Sequence, residues 1–241
     1  TRAGQLATLG SIIQITGRMD VAERLARQAL QLNRALYGPR HVRVASAMDD
    51  LGGIMLDEER LAGADTLLHG AVAIMRENYP DGHPELAYML RDLGYYLMDA
   101  HVLPESDTVW RESAVLFRRY QGTGSLGYAN SMMYVGRVAT LRGRYAESEQ
   151  TLRDVLGMAV IRRGPLNPVG ARANVYMGLL LVLEGRSADA EPYLLKGFTM
   201  SGNIRAGWKA RAVAATELAR LYEQQGRRDE AAKYRAVAVV H

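Results

Sequence analysis

The chain has 241 residues, of which 48% are hydrophobic, with 30 basic and 26 acidic side chains for a formal charge of +4 and no cysteine. The absence of cysteine excludes disulfides and thiolate metal sites and fits a reducing, cytoplasmic setting. No basic-then-apolar leader opens the chain, and its longest apolar run, 175–183, falls far short of the roughly 20 residues that cross a bilayer, so membrane insertion is not expected. The basic residues are 27 arginines and three lysines, spread along the whole chain among the acids. Nucleic-acid binders gather such charge on one face, so no nucleic-acid partner is expected. The preference for arginine over lysine points to a GC-rich, and therefore bacterial, genome.

Small residues recur along the chain at a near-constant interval. Gly10, Gly52, Gly94, Gly136, Gly178 and Ala219 follow one another at equal steps, the last step shorter by a single position. Twelve positions after each comes a second small residue: Ala22, Ala64, Ser106, Ser148, Ala190 and Ala231. Repetition at this period marks a stack of similar supersecondary units. It predicts a single array of six units, over 1–41, 42–83, 84–125, 126–167, 168–208 and 209–241. The chain opens in helical pattern without a methionine, so a fragment of a longer protein is expected.

The second unit shows the pattern most clearly. Val44, Ala47, Met48, Leu51, Ile54, Met55 and Leu56 share one helical face, and a polar break follows at 57–60. Leu61, Ala64, Leu67, Leu68, Ala71, Val72 and Met75 form a second stripe, closed by the turn residues of 79–84. Each unit is therefore predicted as helix A, a tight turn, helix B and a loop, with essentially no strand. The A–B turns align at Gly17-Arg18, Gly143-Arg144, Gly185-Arg186 and Gly226-Arg227, where glycine tolerates the left-handed residue that ends a helix. Glu59 and His101 hold this place in the second and third units, so those turns must differ or carry strain.

The recurring glycines sit inside helix A, where glycine is about 1 kcal/mol worse than alanine. The expected compensation is close packing of helix B, with its own small residue twelve positions on, against the helix A backbone. In the last unit Ala219 replaces the glycine, Arg235 stands where a large apolar residue is expected, and the end, 236–241, is apolar without a polar cap.

These residues resemble the tetratricopeptide repeat. Leu6, Leu9, Gly10, Ile13 and Ala22 meet its pattern in the first unit, as do Leu90, Leu93, Gly94, Leu97 and Ser106 in the third and Met132, Val135, Gly136 and Ser148 in the fourth. The 42-residue period is similar to the kinesin-light-chain type, whose Gly-x-x-His-Pro loop has close versions at 38–42, 80–84 and 164–168. The resemblance implies an all-α fold, a right-handed α-α superhelix, with helix A faces lining a concave groove that binds peptides or partner helices. The family's inner positions fall here on Asp49, Tyr88, Arg91, Tyr95, Asn130, Met133, Arg137 and Arg172. The lysine and asparagine of the family's chaperone-binding clamp are missing from the matching positions, but Arg91, Arg137 and Arg172 could attract an acidic peptide.

Other motifs lead elsewhere only weakly. Gly122-Thr123-Gly124-Ser125-Leu126-Gly127 matches a dinucleotide fingerprint, but it lies in an inter-unit loop rather than after a strand. His41 and His83 share one loop position in successive units and are assigned a capping role; His69 is placed on the exposed side of a helix B. No metal or cofactor is expected. Asp49, Asp50 and Asp92 could pass for paired catalytic carboxylates, but a solvated helix face is expected to leave them unperturbed. The chain is therefore read as a non-enzymatic interaction scaffold. The alternatives are the sensor region of a larger bacterial signalling protein, a kinase or nucleotide-binding regulator, and a module that self-assembles into homo-oligomers through exposed ends.

Overall fold

The computed structural model describes residues 5, 18–58, 60–158, 167–202 and 208–238. Helix A of the first repeat and the last three residues, with their apolar tail, lie outside the described residues. Among the described residues there are eleven helices and no strand, and no helix is long and apolar enough to cross a membrane. The chain forms two compact units, 1–120 and 121–241. The first contains α1 (Met19–Tyr37), α2 (Val42–Asp57), α3 (Leu61–Asn78), α4 (Pro84–Asp99) and α5 (Leu103–Gln121). The second contains α6 (Leu126–Leu141), α7 (Tyr145–Gly157), α8 (Pro168–Leu183), α9 (Ser187–Ser201), α10 (Trp208–Gln224) and α11 (Arg228–Ala238). In the first unit α2, α4 are A helices and α1, α3, α5 are B helices. In the second, α6, α8, α10 are A helices and α7, α9, α11 are B helices.

The A helices start on caps that recur at the repeat period. His41 Nδ1 accepts from the Arg43 N–H at 3.1 Å and His83 Nδ1 from the Glu85 N–H at 3.2 Å. Ser125 Oγ accepts from the Tyr128 N–H at 3.2 Å, and Asn167 Oδ1 from the Val169 N–H at 3.0 Å. The two histidines also stack on Tyr37 and Tyr79, with ring centroids 4.7 and 4.3 Å apart. A side-chain acceptor here satisfies a donor that the first helical turn leaves open. The loop glycines 122–127 accordingly lead into a capped helix, with Gly122 at φ 80°.

The A–B turns share one closure. The N–H three residues past the helix returns to a carbonyl five residues back: Arg144 to Ala139 at 2.9 Å, Arg186 to Leu181 at 2.8 Å and Arg227 to Tyr222 at 2.8 Å. Arg60 to Met55 at 2.9 Å and Val102 to Leu97 at 2.8 Å close the turns that lack glycine in the same way. The third-repeat turn is thus unchanged, and its strain falls on His101, at φ 59°. A left-handed non-glycine residue costs roughly 1–2 kcal/mol. His101→Gly is expected to raise stability by about 1 kcal/mol after the larger unfolded-state entropy of glycine is subtracted. A urea midpoint at or below that of the parent chain would contradict this.

The recurring glycines pack differently from the sequence expectation. A Cβ built on Gly52, Gly94, Gly136 or Gly178 would meet Leu68, Trp110, Leu152 or Leu194 at 2.7, 2.6, 2.9 and 2.6 Å. The large side chain sixteen residues on, rather than the small one at twelve, fills the space over each glycine. The small residue instead meets the glycine's carbonyl edge: Ser106 Oγ donates to the Gly94 carbonyl at 3.3 Å and Ser148 Oγ to that of Gly136 at 2.8 Å. Ala64, Ser106, Ser148 and Ala190 are all fully buried. The last pair follows the same logic. Arg235, sixteen residues after Ala219, pairs with Glu223 instead of seating over helix A, so an anchor methyl group is accommodated.

Many arginines lie in ion pairs between successive helix pairs of one unit. Arg60 reaches Glu23 at 2.7 Å, Arg186 reaches Glu149 at 3.2 Å and Arg227 reaches Glu191 at 3.1 Å, each from the turn that precedes a B helix. Arg76 bonds Glu112 at 2.5 Å, and His69 bridges Asp65 and Glu105 at 3.0 and 3.2 Å. Exposed pairs of this kind are worth at most about 1 kcal/mol each.

Candidate functional site

With helix B packed over one side of each A helix, the A helices offer their other side. Within the first unit α2 touches α4, and within the second α8 touches both α6 and α10. Relative to the recurring glycine, the available side chains come from positions six, three and two before it and one after it.

On α2 and α4 this register brings acids together. Arg91 grips Asp92 through two bonds, Nε to Oδ1 at 2.9 Å and Nη2 to Oδ2 at 3.1 Å, and its guanidinium lies 5.3 Å from the Tyr88 ring centroid. Tyr88 rests edge-on against Phe117 at 4.9 Å, and Tyr95 against Trp110 at 5.0 Å. Asp49 Oδ1 is buried and accepts no hydrogen bond. Burial pushes the Asp49 carboxyl well above the usual carboxylate range, Asp92 and Asp50 push it further, and Arg91 pulls the other way. Burial, followed by the Asp92 charge, lifts Asp50 to about 6, although part of its side chain reaches solvent. The expectation that Asp49 and Asp50 are unperturbed is therefore wrong: packing between neighbouring A helices supplies the desolvation that a lone helix face lacks. Arg91, expected to attract an acidic ligand, is already bound to Asp92.

The second unit carries the opposite charge on the same register. Arg172 Nη2 donates to Asn130 Oδ1 at 3.0 Å and its guanidinium lies 5.9 Å from the Tyr134 ring. Arg137 lies 5.1 Å from the Tyr176 ring, and Tyr134 and Tyr176 meet at 5.9 Å with their planes 64° apart. Burial pulls the Arg137 guanidinium below its ordinary range, with only Tyr176 and Tyr134 opposing that shift; no carboxylate acts on it. Arg172 Nε is buried without a hydrogen-bond partner. Met133 does not belong to this surface. It is fully buried and packs in the core, where an apolar side chain at its register is driven.

Two half-desolvated guanidiniums flanked by tyrosines can bind a carboxylate or a backbone carbonyl more strongly than they would in water. Tyrosine and arginine are also the residues that concentrate binding energy at protein interfaces. The register two before the glycine, omitted from the site expected from sequence, supplies Asp50, Asp92, Tyr134 and Tyr176. Its recurrence at the repeat period, as a pair of acids followed by a pair of tyrosines, was the available signal.

A tetratricopeptide-repeat family model matches residues 3–77, and a second matches 214–240. No curated protein matches the chain. Among solved structures it is similar to a Podosopora anserina protein assigned as a kinesin light chain with nearly identical TPR-like repeats. That likeness has 14% identity and a TM-score of 0.70, over 83% of this chain and 94% of that one. It is also similar to aspartyl phosphate phosphatase F of Bacillus subtilis, with 11% identity and a TM-score of 0.74, over 99% of this chain but 60% of the phosphatase. A third is the Rap conjugation gene regulator of plasmid pLS20 in complex with the Phr* peptide, with 13% identity and a TM-score of 0.62, over 95% and 70% of the two chains. At these identities the likeness is one of fold. Tetratricopeptide repeats are thus matched at both ends of this chain, and the helix pairs between them share one turn geometry and the fold of that family.

Proposed function

We propose that the chain is a protein-interaction scaffold that holds a peptide or partner helix on its A-helix faces, with an acidic group of the partner taken by Arg137 and Arg172. The observation that carries this reading is Arg137: a half-buried guanidinium, set over Tyr176, on which no carboxylate acts. Leaving such a charge partly desolvated is unfavourable unless a ligand supplies the counter-charge. A fold relative solved with a bound peptide makes this mode of use familiar for the architecture. Catalysis is not part of the proposal.

Selection of random dodecapeptides displayed on phage against the full chain tests it. Enriched peptides are expected to carry Asp or Glu, and Arg137→Gln combined with Arg172→Gln should weaken the best synthetic peptide by roughly tenfold to a hundredfold, the range of lost charge-assisted hydrogen bonds. Failure to enrich any peptide over a bare surface, or an unchanged Kd in the double variant, would sink the reading.

A further inference from the structure

The first unit gathers carboxyl groups between its A helices. Asp49, Asp50 and Asp92 act on one another across α2 and α4, and Arg91 is the one cation among the groups that act on Asp49. Arg91 Nε and Nη2 are both bonded to Asp92. No charged group of α1 or α3 acts on Asp49 or Asp50. Three carboxyl groups thus share one guanidinium, which is already paired with Asp92. Asp49 Oδ1 is enclosed and accepts no hydrogen bond, which is rare in a folded protein and calls for a physical reason.

We infer that the Asp49–Asp50–Asp92 cluster on the α2–α4 face is a subsite for a cationic group of the bound peptide, an ammonium or guanidinium held by the Asp49 carboxyl. Rotation about the soft Asp χ2 bond brings either oxygen to the open side, so a ligand can engage the carboxyl without moving the backbone. A divalent metal is the poorer occupant: among the described residues no group of three His, Asp or Glu side chains is arranged to hold one. On the α4 side the Tyr88 ring lies 5.3 Å from the Arg91 guanidinium and Tyr95 also acts on Arg91, and aromatic faces favour an organic cation through their quadrupoles. The same register in the second unit carries the buried apolar Met133 and Val175, so the preference for a cation belongs to the first unit.

This inference rests on the peptide-binding reading above, and the two can fail separately. Hexapeptide mixtures, acetylated and amidated at their ends, with Lys, Arg, Glu or Ala fixed at one central position, are titrated into the full chain by calorimetry. Spermidine alone forms a further arm. The Lys or Arg mixture is expected to bind about tenfold tighter than the Ala mixture, as a charge-assisted contact would give. Asp49→Asn should abolish that advantage and leave the Glu mixture, which reads Arg137, unchanged. A thermal melt verifies that the variant is folded. Spermidine binding that also depends on Asp49 would keep the subsite and assign it to a free polyamine. If the Lys and Arg mixtures match Ala while the Glu mixture binds and responds to Arg137→Gln, the subsite is overturned and the scaffold reading stands. If no mixture binds, both are overturned.

Discussion

Gly94→Ala is expected to destabilise the chain by about 1–3 kcal/mol, although alanine is the better helix former by about 1 kcal/mol. The new Cβ would sit 2.6 Å from Cε2 of Trp110, and Trp110 is fully buried, so its ring has no free volume into which to retreat. Gly94→Leu should be worse, because it must displace the indole entirely. Gly53→Ala is the matched control: nothing lies within 4 Å of its Cβ position, so alanine should add about 0.5–1 kcal/mol through helix propensity. A chain of this size shifts its melting temperature by about 2–4 °C per kcal/mol, so the two alanine variants should separate clearly in a thermal melt. A Gly94→Leu melt identical to the parent's would refute the packing account.

Asp49→Asn is expected to stabilise the free chain by about 1–2 kcal/mol at pH 7.5, because it removes a carboxylate whose ionised form burial and two like charges oppose. The pH dependence follows in sign. A carboxyl whose folded pKa lies above its unfolded one contributes stability that is complete below the ordinary carboxylate value, about 3.9, and is lost as pH rises through the folded value. For Asp50 that value is about 6, so acidification from pH 7 to pH 5 should stabilise the fold. Solvent screening at its exposed position limits the Asp50 share to about 1 kcal/mol. Glu23 runs the other way: the Arg60 hydrogen bond holds it below its ordinary range, so its contribution is lost only as pH falls through that lower value. Urea midpoints at pH 5 and 7.5 measure both effects. A lower midpoint for Asp49→Asn at pH 7.5, with the pH dependence of the parent, would contradict them. Stability gained by Asp49→Asn at the expense of cation binding would mark Asp49 as a residue kept for function.

The helix pairs and their turns were legible because their determinants are local. Gly143, Gly185 and Gly226 take the positive φ that ends an A helix, and His41 and His83 cap the next one, as their spacing implied. The partner of each recurring glycine was not legible. Trp110 and Leu152 lie sixteen residues beyond, on another helix, and which side chain fills a gap depends on how two helices are rotated against each other. The register carried over from the family resemblance reached Arg137, Arg172 and Asn130, which meet around Tyr134 and Tyr176, but it also included Met133, which is buried.

The sequence by itself determined the repeat, the all-helical fold and the resemblance to tetratricopeptide repeats. Each of these rests on propensity and periodicity, which act over one or two helical turns. Only the tertiary structure decided the electrostatics. Asp49, Asp50 and Asp92 read as ordinary surface acids until α2 and α4 pack together; Arg91 then turns to Asp92 while Arg137 meets no acid. The physical reason is that desolvation and charge pairing depend on distances between helices a whole repeat apart in the chain, which no local pattern encodes.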